Sequence, residues 1–216
     1  MTIQTIHPRR IGALVLGAVL AGGGLSACAP LLIGGAIVSG SLLVTDRRSS
    51  GAQLDDQAIE LKGANRLNET LRDRGRVSLT SYNRQVLMTG DVPTDADKAA
   101  AEQSVAKIDN VRSIVNELAI GPGATLTARS NDTVISGKVK ASFVDASDLH
   151  ANAVKVVTER GVVYLMGRVT EREATRASEI ARGVSGVQKV VRVFEIVSEA
   201  ELADTEPRPA SAPAKP

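Results

Sequence analysis

The chain has 216 residues, 43% hydrophobic but only 2% aromatic and without Trp, so any core rests on Val, Ile, Leu and Ala. Its 26 basic and 24 acidic residues give a formal charge of +2, and the excess is Arg9 and Arg10 near the start; the rest is balanced, which excludes broad electrostatic binding of nucleic acid. A single cysteine, Cys28, and two histidines, His7 and His150, exclude an intramolecular disulfide, a multi-thiolate site and a His-rich metal cage.

Residues 1–27 read as a signal peptide: Arg9 and Arg10, then an apolar run from Ile11 to Leu20. Leu25-Ser-Ala-Cys28 then resembles the lipobox of bacterial lipoproteins. That resemblance implies cleavage before Cys28 and acylation of Cys28. Acyl chains contribute about 0.8 kcal/mol per buried methylene, enough to anchor a protein without a helix. Ala29 rather than Asp follows the cysteine, which by the same resemblance implies the outer membrane. An uncleaved anchor is the alternative, since Ile11 to Val44 carries no charge and is long enough to span a bilayer. Residues 28–51 are expected to be a lipidated tether. Its apolar part, 29–44, either lies against lipid or packs on the first module.

The first module is expected over residues 52–122. Asp55 or Asp56 caps a helix whose stripe is Ile59, Gly63, Leu67 and Leu71, and Gly75 marks its stop. Val77, Leu79 and Ser81 alternate as a strand, Asn83-Arg84 is a tight turn, and Gln85 to Asp91 is the second strand. Thr94-Asp-Ala-Asp97 resembles a capping box opening a helix through Ala101, Val105 and Ile108. Val111 to Ile120 is a final strand. Gly121-Pro-Gly123 then breaks the pattern.

The second module, 123–200, repeats that order. Asn131 or Asp132 caps a helix to about Val144, Asp145 to His150 is a polar loop, and Ala153 to Thr158 is a strand. Arg160-Gly161 turns into the strand Val162 to Gly167. Thr170-Glu-Arg-Glu173 is a full capping box, its helix face carries Ala177, Ile180 and Val184, and Val187 to Val197 closes the module. Residues 201–216 read as a disordered Pro/Ala-rich tail.

The duplication is explicit: Gly90 and Gly167 are 77 residues apart, and Val111 and Val187 are 76 apart. Gly90 and Gly167 are expected to be structural, letting the next helix approach the sheet. The expected fold class is α+β: two tandem modules, each a small three-stranded mixed sheet with two helices in the order α-β-β-α-β.

This order, with Lys155-Val-Val-Thr-Glu-Arg-Gly161, Tyr164-Leu-Met-Gly-Arg-Val-Thr-Glu-Arg-Glu-Ala174 and Gly183-Val-Ser-Gly-Val-Gln-Lys189, resembles the BON-domain family. With the lipobox, the chain is similar to the dual-BON outer-membrane lipoproteins. The resemblance implies a periplasm-facing, non-catalytic binding protein tied to envelope integrity and envelope stress. It also implies contact with anionic lipid through the first helix of the second BON domain.

That helix has a face to match. At about 100° per residue, Ile135, Val139 and Phe143 fall on one side, while Val134, Lys138 and Ala141 fall on another with Lys140 nearby. Residues 52–122 hold 9 basic and 11 acidic residues, whereas residues 123–200 hold 11 and 9, so the second module suits an anionic surface better. The candidate lipid-binding residues are therefore Val134, Lys138, Lys140 and Ala141. The competing readings are that Lys138 and Lys140 are ordinary solvated charges and that Val134 packs against the first module. No cofactor, metal or catalytic residue is expected: Asp145, Asp148 and His150 read as a solvated turn. The expected partner is an anionic phospholipid membrane, and the alternative is an adaptor that binds another envelope protein.

Overall fold

A computed structural model describes residues 46–205. The expected signal peptide, Cys28, the 29–44 stretch and the tail beyond 205 lie outside the described residues.

The element order is α1 (Ser50–Leu71), β1 (Arg76–Tyr82), β2 (Gln85–Val92), α2 (Asp95–Ala106), β3 (Ser113–Asn116) and β4 (Ala119–Ile120), followed by α3 (Leu126–Asp145) and a 3-10 turn (Ala151–Ala153). β5 (Lys155–Glu159), β6 (Val162–Val169), α4 (Glu171–Gly183), β7 (Lys189–Ile196) and α5 (Glu199–Thr205) complete the chain. In each module a central strand pairs antiparallel with its hairpin partner and parallel with the strand after the helix: β2 between β1 and β3, β6 between β5 and β7. This is the expected α+β order.

Both first helices start earlier than expected. Ser49, not Asp55 or Asp56, caps α1 by accepting from the Ala52 N–H, and Thr125, not Asn131 or Asp132, caps α3 through Ala128. The displaced aspartates serve another purpose. Asp56 is buried and accepts from the N–H groups of Asn83 and Arg84 at 2.8 and 2.7 Å, and from the Ser81 hydroxyl at 2.7 Å. Asp132 does the same for Arg160 and Gly161 at 2.8 and 2.7 Å. Each hairpin turns on two consecutive positive-φ residues, 49° and 66° at Asn83-Arg84 and 52° and 73° at Arg160-Gly161. That conformation leaves turn donors facing the helix, and one carboxylate takes both.

The second-helix caps are as expected. Thr94 accepts from the Asp97 N–H, and Thr170 and Glu173 form a reciprocal capping box. The single strand expected from Val111 to Ile120 is broken. Asn116 Oδ1 accepts from the Leu118 N–H at 3.2 Å, Leu118 turns into the core, and pairing with β2 resumes at Ala119. α4 ends at Gly183, leaving Val184 as its C-cap, and the strand expected from Ala153 begins at Lys155. α5 reaches Thr205, so the stretch expected to be disordered from 201 starts as a helix.

The glycines answer to a different constraint from the one expected. Gly90 has φ +116°, and a Cβ there would run into the Arg76 carbonyl of the neighbouring strand. At Gly167 the obstacle is the Ala153 carbonyl. The clash is with strand and turn backbone, not with the following helix.

Three apolar clusters stack these elements. α1 and α2 cover one face of the first sheet through Ile59, Leu67, Val86, Met88 and Val105. α3 and α4 cover the second sheet through Val139, Phe143, Val163, Leu165 and Ala177. The remaining sheet faces meet each other: Tyr82 and Leu87 against Tyr164, Met166 and Val193. The order of layers is thus helices, sheet, sheet, helices, and the first helices of the two modules face outward on opposite sides. Tyr164 also donates to Glu117 of the first module at 3.4 Å, and burial and that carboxylate push its phenol up to about 12.

Candidate functional site

α3 buries Asp132, Ile135, Val139 and Phe143, as the spacing of the last three predicts. The opposite side carries Leu126, Val134 and Val144, which are 72%, 56% and 73% exposed, together with exposed Gly137 and Ala141. Lys138 and Lys140 are exposed and flank this apolar stripe on its two sides. Neither lysine has an ion-pair partner among the described residues, and Val134 faces solvent rather than the first module.

The four sequence candidates do not converge on one spot. Val134 and Lys138 line a groove of about 670 Å³ beside the module junction, with Arg160, Gly161, Gly186 and Gln188. Lys140 lines a separate groove of about 380 Å³ with Val144, Asp46 and Arg48. Ala141 lies on the stripe, the helical face running between these grooves. Leu126 and Val144 belong to the same face and escaped the sequence reading. The misplaced cap put Leu126 before the helix, and Val144 looked like its end.

α1 offers a useful contrast. Leu54 and Leu61 are exposed on its outer face, but the nearby Lys62 reaches Asp109 at 3.5 Å and Asp55 binds Arg84. On the first module the lysine next to the exposed leucines is thus already engaged. The loop after α3 is similarly committed, because Asp148 takes Arg176 at 2.8 Å. Among the described residues no group of three His, Cys, Asp or Glu is placed to hold a metal.

Comparison with known proteins finds the same family twice along the chain. The BON domain family model matches residues 55–122 and 131–198. The chain is 34% identical over 194 residues to the Outer membrane lipoprotein DolP of Haemophilus influenzae, covering 89% of this chain and 98% of that one. It is 34% identical over 154 residues to the 21 kDa hemolysin of Actinobacillus pleuropneumoniae, covering 70% and 79%. To the Osmotically-inducible protein Y of Escherichia coli it is 26% identical over 148 residues, covering 65% and 72%.

Proposed function

Since this chain belongs to the BON-domain family, with two copies of the domain in tandem, we propose that it is a non-catalytic outer-membrane lipoprotein facing the periplasm, which lays α3 of its second module on anionic phospholipid and so supports envelope integrity. The relationship to the outer membrane lipoprotein of Haemophilus influenzae supports the compartment, and the lipobox at Cys28 supports the anchor. The observation that carries the lipid reading is the outer face of α3: an apolar stripe between two lysines that have no ion-pair partner among the described residues. An anionic bilayer offers such a face shallow apolar burial and headgroup phosphates at both flanks, each cation contributing about 1 kcal/mol near the surface.

The test is vesicle flotation of residues 29–216, which retain the Asp46–Arg48 contacts and α5. Binding to vesicles containing phosphatidylglycerol, not to neutral ones, is expected. The joint change Val134→Ser, Lys138→Glu, Lys140→Glu should abolish it while the circular dichroism spectrum stays the same. Equal flotation with neutral lipid sinks the reading.

An adaptor role is favoured by a different feature. β7 is an edge strand, with no strand on its outer side among the described residues, and Ile196 is exposed at its end. Such an edge can accept a strand from another envelope protein. Cross-linking in intact envelopes from a photoreactive residue on β7, giving a discrete protein adduct, distinguishes this reading from lipid contact.

A further inference from the structure

The joint between the modules is held by charge. Asp91, at the end of β2, takes the Ala124 N–H at 2.7 Å and pairs with Arg160 on the hairpin turn of the second module. Arg160 also donates to the Pro122 carbonyl at 2.6 Å. One carboxylate of the first module thus fastens both the connecting segment and the facing hairpin.

The charges at this joint do not balance. Three carboxylates meet there: Asp91 on β2, Asp132 on α3 and Glu159 at the end of β5. Two guanidiniums face them: Arg160, and Arg76, which stands opposite Asp91 in the β1–β2 register. Tyr164 on β6 is the remaining titratable neighbour, and the Glu159 charge helps to raise its phenol. Asp91 and Asp132 each accept from backbone N–H groups, which favours their ionised forms. Glu159 differs, because its Oε1 is buried with no hydrogen-bond partner among the described residues. The surplus negative charge therefore falls on Glu159. A proton there leaves two carboxylates against two guanidiniums.

We propose that Glu159 is a proton-binding site that tightens the module joint as the surroundings acidify. Ionised Glu159 repels Asp91 across the joint and competes with it for Arg160. Protonated Glu159 leaves Arg160 to Asp91 and the Pro122 carbonyl. Burial, then Asp132 and Asp91, lift this carboxyl above the ordinary glutamate value, and Arg76 and Arg160 offset that only in part. A carboxyl raised in the closed joint takes its proton at higher pH than the same group in an open one, so the closed form gains as pH falls. Pro122, Ala124, Arg160 and Gly161 also wall the groove that holds Val134 and Lys138, so the same proton fixes the shape of that groove.

The test is amide hydrogen exchange of the full chain in detergent, read by NMR as protection factors corrected for the intrinsic rate at each pH. The Ala124 amide reports the joint. The Arg84 amide, bonded to Asp56 within the first module, is the reference. Protection of Ala124 relative to Arg84 is expected to rise about threefold from pH 7 to pH 5. In Glu159→Gln it should stand at the acid level already at pH 7 and stay there. Every other titratable group, His150 included, is untouched in that variant, so a pH response that survives it overturns the proposal. Protection in the wild type that is flat or falls between the two pH values does the same. Arg76→Gln removes one of the two opposing cations and should enlarge the rise; a smaller rise in that variant also counts against a proton on Glu159.

Discussion

Arg47 and Glu173, 126 residues apart, are joined by two bonds of 2.8 and 2.9 Å, with side chains only 8% and 3% exposed. Glu173 is also the acceptor that closes the α4 capping box on the Thr170 N–H. One carboxylate therefore ends a helix and fastens the segment preceding α1 to the second module. Burial alone would raise the Glu173 carboxyl; the bonds from Arg47 and Thr170 outweigh it and leave it below the ordinary glutamate value of 4.5. A carboxyl depressed in the fold contributes stability that is present above 4.5 and lost as pH falls through the lower folded value.

Removing Arg47 leaves that buried carboxylate half-paired. Arg47→Met is expected to cost about 3 kcal/mol, in the range for breaking a buried pair from one side. Glu173→Gln should cost less than Glu173→Ala, because Gln still accepts in the capping box. Urea unfolding at pH 7 and pH 4 measures both. In Arg47→Met the loss on acidification should shrink, and an unchanged acid slope would contradict the assignment.

The paired aspartates give a second prediction. Asp132→Ala orphans two turn donors and should cost about 2–3 kcal/mol. Asp56→Ala orphans these and the Ser81 hydroxyl, and it strips Arg48 of a partner, so about 3–5 kcal/mol is expected. Equal costs at the two positions would mean that the Arg48 contact adds nothing.

Gly90→Ala should cost about 2–3 kcal/mol, since φ +116° and the Arg76 carbonyl both oppose a side chain. Thermal unfolding reads it. A change under about 0.5 kcal/mol would show that β1 gives way easily.

Glu159 behaves oppositely to Glu173. Burial first, then the Asp132 and Asp91 carboxylates, raise it above 4.5, and Arg76 and Arg160 offset this only in part. One of its oxygens is buried without a hydrogen-bond partner among the described residues. A raised carboxyl favours the fold once protonated, so its contribution grows as pH falls through the folded value. Glu159→Gln should therefore raise the melting temperature at pH 7 and give no gain near pH 4.

Local signals were legible and distant ones were not. Thr94 and Thr170 announce helices because cap and acceptor lie within three residues. Asn83-Arg84 and Arg160-Gly161 announce turns for the same reason. Asp56 and Asp132 misled, because a carboxylate before an apolar stripe looks like a cap when its partners lie some 25 residues downstream. Sheet-to-sheet packing leaves its own trace in the sequence. Val163 through Met166 is apolar at every position, as a strand covered on both faces should be: Val163 and Leu165 meet helices, Tyr164 and Met166 meet the other module. At the candidate site, the lysines and Val134 were legible from periodicity, but Val144 gained its place only when the groove with Asp46 was known.

The α3 stripe makes a last prediction about strength. Val134 is a small side chain on the exposed face, so shallow insertion there buries little. Val134→Trp would add roughly 50–100 Å² of apolar area, about 1–2 kcal/mol at 25 cal/mol per Å². That corresponds to roughly 5- to 30-fold tighter binding to phosphatidylglycerol vesicles. Tryptophan also favours the headgroup level, which suits a helix lying in the interface plane. Because the lysines act electrostatically, raising salt should weaken wild type and Val134→Trp by the same factor, leaving the ratio of affinities unchanged. A gain that disappears with Lys138 and Lys140 intact, or that is as large at Asn65→Trp on α1, would place the membrane contact elsewhere.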